Sequence, residues 1–289
     1  MKTIKQILRQ HKNIKRNNEI PLIIAHSIKK EKEFIFTHDE YSLTLFEYLK
    51  FKYFLNKLKQ NYPLSYLTKN KEFFNLNFFI NKNVLVPRPE TEIMVEKAID
   101  IIEEINLNEK KKKILLIDVG TGSGCIPISI LKNIQNNVKT IAIDISKKAL
   151  VVAKQNAKNH GVEIEFRYGN LLKPVIDKNI LSNYTDIIIT ANLPYLTEKQ
   201  FEDEKSVQKE PKLALVAQKQ GLELYILLLQ QISEIVKKYP QLKLNILLEI
   251  DPFQDKIIHK VIQNTLYRAK IQTFKDLTNK SRTIIIRTY

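Results

Sequence analysis

Three short segments of this chain carry side chains and turns that could do chemistry together: DVGTGSGC from Asp118, the acid closing TIAIDIS at Asp144, and ANLPY over Ala191–Tyr195. The chain has only six glycines, and Gly120, Gly122 and Gly124 fall within five positions. Glycine where a strand ends lets the backbone turn sharply and lets a ligand approach the amides. The spacing is G-x-G-x-G with Asp118 two residues ahead, which differs from the G-x-G-x-x-G of dinucleotide enzymes. No Lys-Ser/Thr pair follows, so the segment is not a phosphate-binding P-loop.

Asp144 is placed to accept both hydroxyls of a ribose. A ribose acid beside a tight glycine turn, without a pyrophosphate fingerprint, fits S-adenosylmethionine better than a nicotinamide dinucleotide. The competing reading makes Asp144 a cap for the following helix. In ANLPY, Pro194 fixes its own φ and biases Leu193 to an extended conformation, aiming the Leu193 carbonyl outward. Asn192 adds a side-chain oxygen and Tyr195 an aromatic face. These groups suit methylation of a planar nitrogen, whose lone pair is delocalised and poorly nucleophilic. Asn192 and the Leu193 carbonyl could hold both N–H bonds and turn the lone pair towards a methyl donor, with Tyr195 stacked on the amide plane. Orientation of this kind contributes about 7–11 kcal/mol. Cys125 follows the glycine turn and reads as a small packed side chain. The five histidines show no metal spacing, and no metal is expected.

The elements that would hold these residues follow from the apolar period. Residues 1–72 read as a Lys-rich helical domain. Leu45, Phe46, Leu49, Tyr53, Phe54 and Leu58 are spaced as one buried helix face. Phe73 to Val86 alternates like a β-hairpin, and 73–89 is read as a hairpin linker ending in Pro87-Arg88-Pro89. A catalytic domain over 90–289 follows. Beyond the lysine run Lys110–Lys113, strands near Ile114, Thr140, Glu163, Asp186 and Lys243 alternate with helices over Ile126–Asn133, Lys147–Asn159, Gly221–Tyr239 and Phe253–Asn264. Two last strands lie near Ala269–Lys275 and Arg282–Thr288. This predicts an α/β fold, a seven-stranded, mostly parallel sheet closed by an antiparallel edge pair.

Composition sets the outer bounds. At 289 residues, 44% hydrophobic and 27% charged, the chain can bury a core and is not disordered. One cysteine excludes a disulfide scaffold. No run approaches the roughly 18–20 apolar residues of a membrane span. The N-terminus lacks the apolar core of a secretory signal. A transit peptide is conceivable there, but an amphipathic helix carrying Ile4, Ile7, Leu8 and Ile14 is the favoured reading. A cytoplasmic protein is expected. The net charge of +16 admits nucleic acid or an RNA-rich assembly as neighbour. Only seven of the 47 basic residues are Arg, however, in a chain crowded with Asn and Ile, so the charge reads as compositional bias.

Taken with VLVPRPETE from Val84, PLSYL from Pro63, EPKLAL from Glu210 and the closing RTIIIRTY, the sequence resembles the release-factor glutamine methyltransferases, the HemK/PrmC family. The resemblance runs from about Pro63 to the C-terminus. It implies a class I S-adenosylmethionine-dependent methyltransferase that modifies the Gln amide of the Gly-Gly-Gln loop in peptide-chain release factors. It further implies that Gly120, Thr121, Gly122, Ser123 and Gly124 line the methionine side of the cofactor and that Asp144 holds the ribose. Leu171 would line the adenine pocket. Asn192, Leu193, Pro194 and Tyr195 would form the substrate clamp, with Asn192 and Tyr195 catalytic and Asn192 also bordering the cofactor. The chain departs from the family at Leu193, where Pro is usual, at Asn170 in place of an acid, at Asp251 in place of Gly, and by a missing Gly after PLSYL. A monomer with no obligatory nucleic acid is expected. Two alternatives stay open: a same-fold enzyme acting on a ribosomal-protein glutamine or on adenine, and a non-catalytic ribosome- or RNA-binding relic.

Overall fold

The computed structural model describes residues 2–108, 113–135, 138–176, 178 and 180–288; of the lysine run noted above, only Lys113 falls among them. The chain divides into two units. One comprises residues 1–70 with 205–209, and the other 71–204 with 210–289. Among the described residues no helix is long and apolar enough to cross a membrane.

The first unit is helical: α1 (Ile4–Gln10), α2 (Ile20–Ile28), α3 (Lys32–Thr37), α4 (Leu45–Lys59) and α5 (Leu64–Thr68). Ile4 and Ile7 of α1 are fully buried against Ile20, Ile23 and Ile24 of α2. Thr44 and Glu47 close a capping box that starts α4. The buried face of α4 keeps Phe54 and Leu58 of the expected one but not its other four residues. Phe51, Phe54, Leu55 and Leu58 pack into the core, whereas Leu45 (70% exposed), Phe46 (77%), Leu49 and Tyr53 face solvent. The helix carries apolar stripes on opposite sides at the same three- and four-residue spacing, and only the packing of α2 selects between them. Lys69, which ends α5, holds φ at +56°, a left-handed conformation for which glycine is the unstrained residue. The glycine missing after PLSYL is therefore a real local cost.

Apart from Asn70, the second unit opens with a hairpin of β1 (Asn70–Phe73) and β2 (Leu76–Phe79), turning at Phe74 and Asn75 with φ of +49° and +56°. The hairpin lies a few residues before the alternating stretch read from the sequence. Residues 80–88 form no strand, because Asn81 turns the chain through its bond to the Asn83 amide (2.9 Å).

The main sheet contains β3 (Ile114–Val119), β4 (Lys139–Asp144), β5 (Glu165–Tyr168), β6 (Asp186–Ala191), β7 (Lys243–Glu249), β8 (Lys270–Lys275) and β9 (Ser281–Arg287). Its order is β5-β4-β3-β6-β7-β9-β8. β3 to β7 are parallel and β9 pairs antiparallel with both β7 and β8, as the sequence pattern predicted. β3 and β6 are buried on both faces, which is why they read as unbroken apolar runs. Helix α6 (Glu92–Asn108) leads into β3, and α7 (Cys125–Asn133), α8 (Lys147–His160), α9 (Glu223–Lys238) and α10 (Asp255–Thr265) lie between later strands. α9 begins later than the predicted Gly221, because Lys219, Gln220 and Gly221 all hold positive φ (+52°, +58° and +78°). From β3 the chain moves outward to β4, then returns to β6 on the other side. That reversal leaves a crevice at the carboxyl ends of these strands.

Candidate active site

The glycine turn follows β3. Gly120, Gly122 and Gly124 hold φ of +72°, +55° and +80°, conformations that side chains rarely adopt. The Gly120 and Thr121 amides bond the Ile143 carbonyl (2.9 and 3.0 Å), which ties the turn to the end of β4. Asp144, one residue on, bonds the Gly122 amide through Oδ2 (2.9 Å) and the Ser146 amide through Oδ1 (2.7 Å). Ser146 in turn caps α8. The helix cap is therefore Ser146 and not Asp144, which spends one lone pair of each oxygen on the turn. An ionised carboxylate offers about four acceptor positions, so two remain. Burial raises the Asp144 pKa, while the amides of Ser146, Gly122 and Ile145 pull it down.

Gly120, Thr121, Gly122, Ser123, Asp144, Leu171, Asn192, Leu193 and Pro194 line one cleft at this rim. A Cβ built on Gly122 would meet nothing closer than the Gly120 carbonyl oxygen at 3.9 Å, so the space beside that backbone is open to a ligand. Leu171 holds φ at +51°, a strained conformation for leucine, and strain of this kind clusters at ligand sites. An open glycine backbone, a carboxylate with two spare acceptors and an apolar Leu171 wall fit a nucleoside with a small zwitterionic arm. Behind the turn, Asp118 is buried and accepts the Thr190 hydroxyl (2.7 Å), and burial pushes its carboxyl up to about 6.

The tetrad is held from behind. Asn192 donates its Nδ2 to the Thr91 hydroxyl (3.2 Å), leaving its Oδ1 as the acceptor on the opposite side of the amide. The Tyr225 hydroxyl accepts the Leu193 amide (3.2 Å) and lies 3.3 Å from the Leu193 carbonyl, but its one proton goes to the nearer Glu249 carbonyl. The Leu193 carbonyl therefore keeps acceptor capacity. Gln254 donates to the carbonyls of Tyr195 (3.2 Å) and Gln220 (3.0 Å). A Cβ on Gly221 would fall 1.9 Å from the Tyr195 carbonyl oxygen, so the turn before α9 packs on the tetrad's backbone. Asp251 bonds the Phe253 amide (2.9 Å) in a capping box with Gln254, which accounts for an acid where glycine is usual.

Two expectations are corrected. Gly124 is not among the residues lining the cleft; it is the N-cap of α7, and a Cβ there would meet Ile128 and Ala153. Tyr195 is not among the residues lining the cleft. It packs against the core, and burial beside Glu249 raises its phenol well above the ordinary value. Cys125 is buried with its thiol pushed up to about 12, as a packed side chain should be.

Several functional positions were named only as parts of motifs. Thr91, from VLVPRPETE, lines the cleft and holds Asn192. From the same segment, the Arg88 guanidinium pairs with buried Glu210 of EPKLAL, and Glu210 also accepts the Val86 amide (2.9 Å). Tyr225 and Glu249 carry no signal of their own in the sequence. Glu249 is buried, which raises its carboxyl to about 7.

A methyltransferase domain model matches residues 110–272, and a PrmC N-terminal domain model matches residues 1–68. The release factor glutamine methyltransferase of Dictyoglomus turgidum is 35% identical, covering 92% of this chain and 89% of its own. That of Mycoplasma mycoides is 33% identical over 92% and 91%, and that of Borreliella burgdorferi 34% over 93% and 88%. Among solved structures, the hMettl16 catalytic domain in complex with a 3'UTR hairpin superposes with a TM-score of 0.55 at 15% identity, over 78% of this chain and 79% of that one. This likeness shows the fold alone. The glycine turn, Asp144 and the Asn-x-Pro-Tyr turn share one rim, in a chain that matches these relatives along nearly its whole length: it belongs to the release factor glutamine methyltransferase family.

Proposed function

We propose that this protein transfers the methyl group of S-adenosylmethionine to the side-chain amide nitrogen of the glutamine in the Gly-Gly-Gln loop of peptide-chain release factors. The observation that carries this reading is that Asp144 and Asn192 line the same cleft, with the glycine turn between them. When bound, the cofactor supplies an electrophilic methyl group on a sulfonium. Gly120, Thr121, Gly122, Ser123 and Asp144 would hold it, the carboxylate through its two spare acceptor positions, and Leu171 would wall the base.

The remaining work falls to the acceptor side. Asn192 Oδ1 takes one amide hydrogen and the Leu193 carbonyl the other. This fixes the amide plane so that the face carrying the nitrogen lone pair meets the donor. No strong base is needed, because alkylation makes the remaining N–H protons acidic and one of them passes to water. Pro194 holds the turn. We assign residues 1–72 to recognition of the release factor. The exposed Leu45, Phe46, Leu49 and Tyr53 stripe supports this, since a contiguous apolar surface marks a protein contact. We place the reaction in the cytoplasm, where translation runs.

Labelled S-adenosylmethionine incubated with a purified release factor tests the reading. Wild-type protein should label it, and Asn192→Ala should abolish labelling while cofactor affinity stays within a few-fold. An Asn192→Ala rate equal to wild type would remove Asn192 from the chemistry.

A further inference from the structure

Asn156, on α8, is fully buried, and no step of the methyl transfer described above uses it. Burying a carboxamide is costly unless its polar atoms are paired. Here Oδ1 accepts the Phe79 amide (2.8 Å), and Nδ2 donates to the carbonyls of Phe79 (3.0 Å) and Ser123 (2.9 Å). One side chain thus meets both backbone groups of the last residue of β2 and, with its remaining proton, the glycine turn.

The two segments joined in this way both lead into the cleft. Ser123 lines it, at the exit of a turn that the Gly124 amide also fixes by bonding the Thr121 carbonyl (2.8 Å). Beyond Phe79 the chain turns at Asn81, and residues 80–91 form a strap that lines the cleft from Asn83 onward. Glu210 holds the strap midway through the Val86 amide (2.9 Å), and Thr91 at its far end receives Asn192 Nδ2 (3.2 Å).

We propose that Asn156 is a positioning residue that sets the glycine turn of the cofactor site against the strap whose far end holds Asn192. This rests on the methyl-transfer reading. Donor and acceptor must lie in line, and a misplacement of about 1 Å costs about 100-fold in rate. The sheet aligns the two segments where they leave it, since Val119 of β3 pairs with Ala191 of β6. Beyond that ladder, Ser123 and the Asn192 side chain need ties of their own. Asn156 supplies the first and Thr91 the second, and the strap joins the two.

Hydrogen exchange on the full chain, with and without the demethylated product of S-adenosylmethionine, tests the link in wild type. Phe79 does not line the cleft, so the ligand does not shield its amide directly. With ligand at about 100 times its Kd, an opening that disrupts the site slows by up to about 100-fold. The Phe79 amide should therefore slow by about tenfold or more, and β8, at the far edge of the sheet, should not change. A Phe79 response no larger than that of β8 would overturn the proposal. Asn156→Asp keeps the side chain's size and its acceptor, but an ionised carboxylate cannot donate to the Ser123 carbonyl. Assayed with a release factor at a temperature where it is folded, it should raise KM for the cofactor and lower kcat, each about tenfold. A residue that only stabilises the fold would lower Tm and leave kcat and KM at wild-type values, and that result would also overturn the proposal. If Asn156→Asp does not fold, the wild-type exchange decides the matter. A wild type that labels no release factor defeats the methyl-transfer reading, while the exchange result still decides whether Asn156 links the turn to the strap.

Discussion

Replacing Asp144 by Ala removes the side chain assigned to the ribose. Its two oxygens each hold one backbone amide, at 2.9 and 2.7 Å, and the residue lines the cleft. A hydrogen bond to a charged acceptor contributes about 1.5–3 kcal/mol. One such bond sets a floor of about tenfold in Kd, and two at the low end give about 100-fold. Titration calorimetry of wild type and Asp144→Ala with S-adenosylmethionine and its demethylated product measures this directly. The variant also frees the Gly122 and Ser146 amides, so loosening of the turn is a rival cause. A 2′-deoxyribose analogue separates the two. If the carboxylate grips the ribose, the analogue binds wild type more weakly than the parent does, while Asp144→Ala discriminates little between them. Parent affinity within twofold of wild type would refute the ribose role.

Two other predictions concern stability. Gly221→Ala forces a Cβ to 1.9 Å from the Tyr195 carbonyl oxygen at a φ of +78°. It should cost about 3 kcal/mol or more in denaturant unfolding, whereas Gly161→Ala, which meets no neighbour within 4 Å, should cost much less. Glu249 and Asp118 have carboxyls raised to about 7 and about 6, against ordinary values of 4.5 and 3.8, because both are buried. Folded protein then binds these protons more tightly than unfolded chain. Their contribution is fully present below the unfolded values and declines as pH rises through the folded ones, by up to about 3 kcal/mol for each group. Glu249→Gln should flatten the part of this decline that ends near 7, and a pH–stability curve with the wild-type slope would contradict the assignment.

The fold was legible because β3, β6 and β7 lie inside a two-sided sheet and so read as continuous apolar runs between helices. The site's front was legible for a different reason. A chain with six glycines places three in one turn, and Asn-x-Pro-Tyr is an uncommon way to leave a strand. Its back was not. Thr91, Tyr225 and Glu249 act through contacts made by residues far apart in the chain, and each alone looks like a helix start or a core position. The face of α4 was misread because helical spacing gives the period of an apolar stripe but not which of two opposite stripes meets a neighbour. The hairpin was displaced because strand alternation persisted past the Asn81 turn.

Mass spectrometry of the Gly-Gly-Gln peptide from a release factor incubated with this protein and S-adenosylmethionine bears most directly on the central claim. The account predicts one added CH₂, carried on the side-chain nitrogen of the glutamine, and absent when Asn192→Ala replaces wild type. A methyl group found on another residue, or none on a release factor that the protein demonstrably binds, would contradict it.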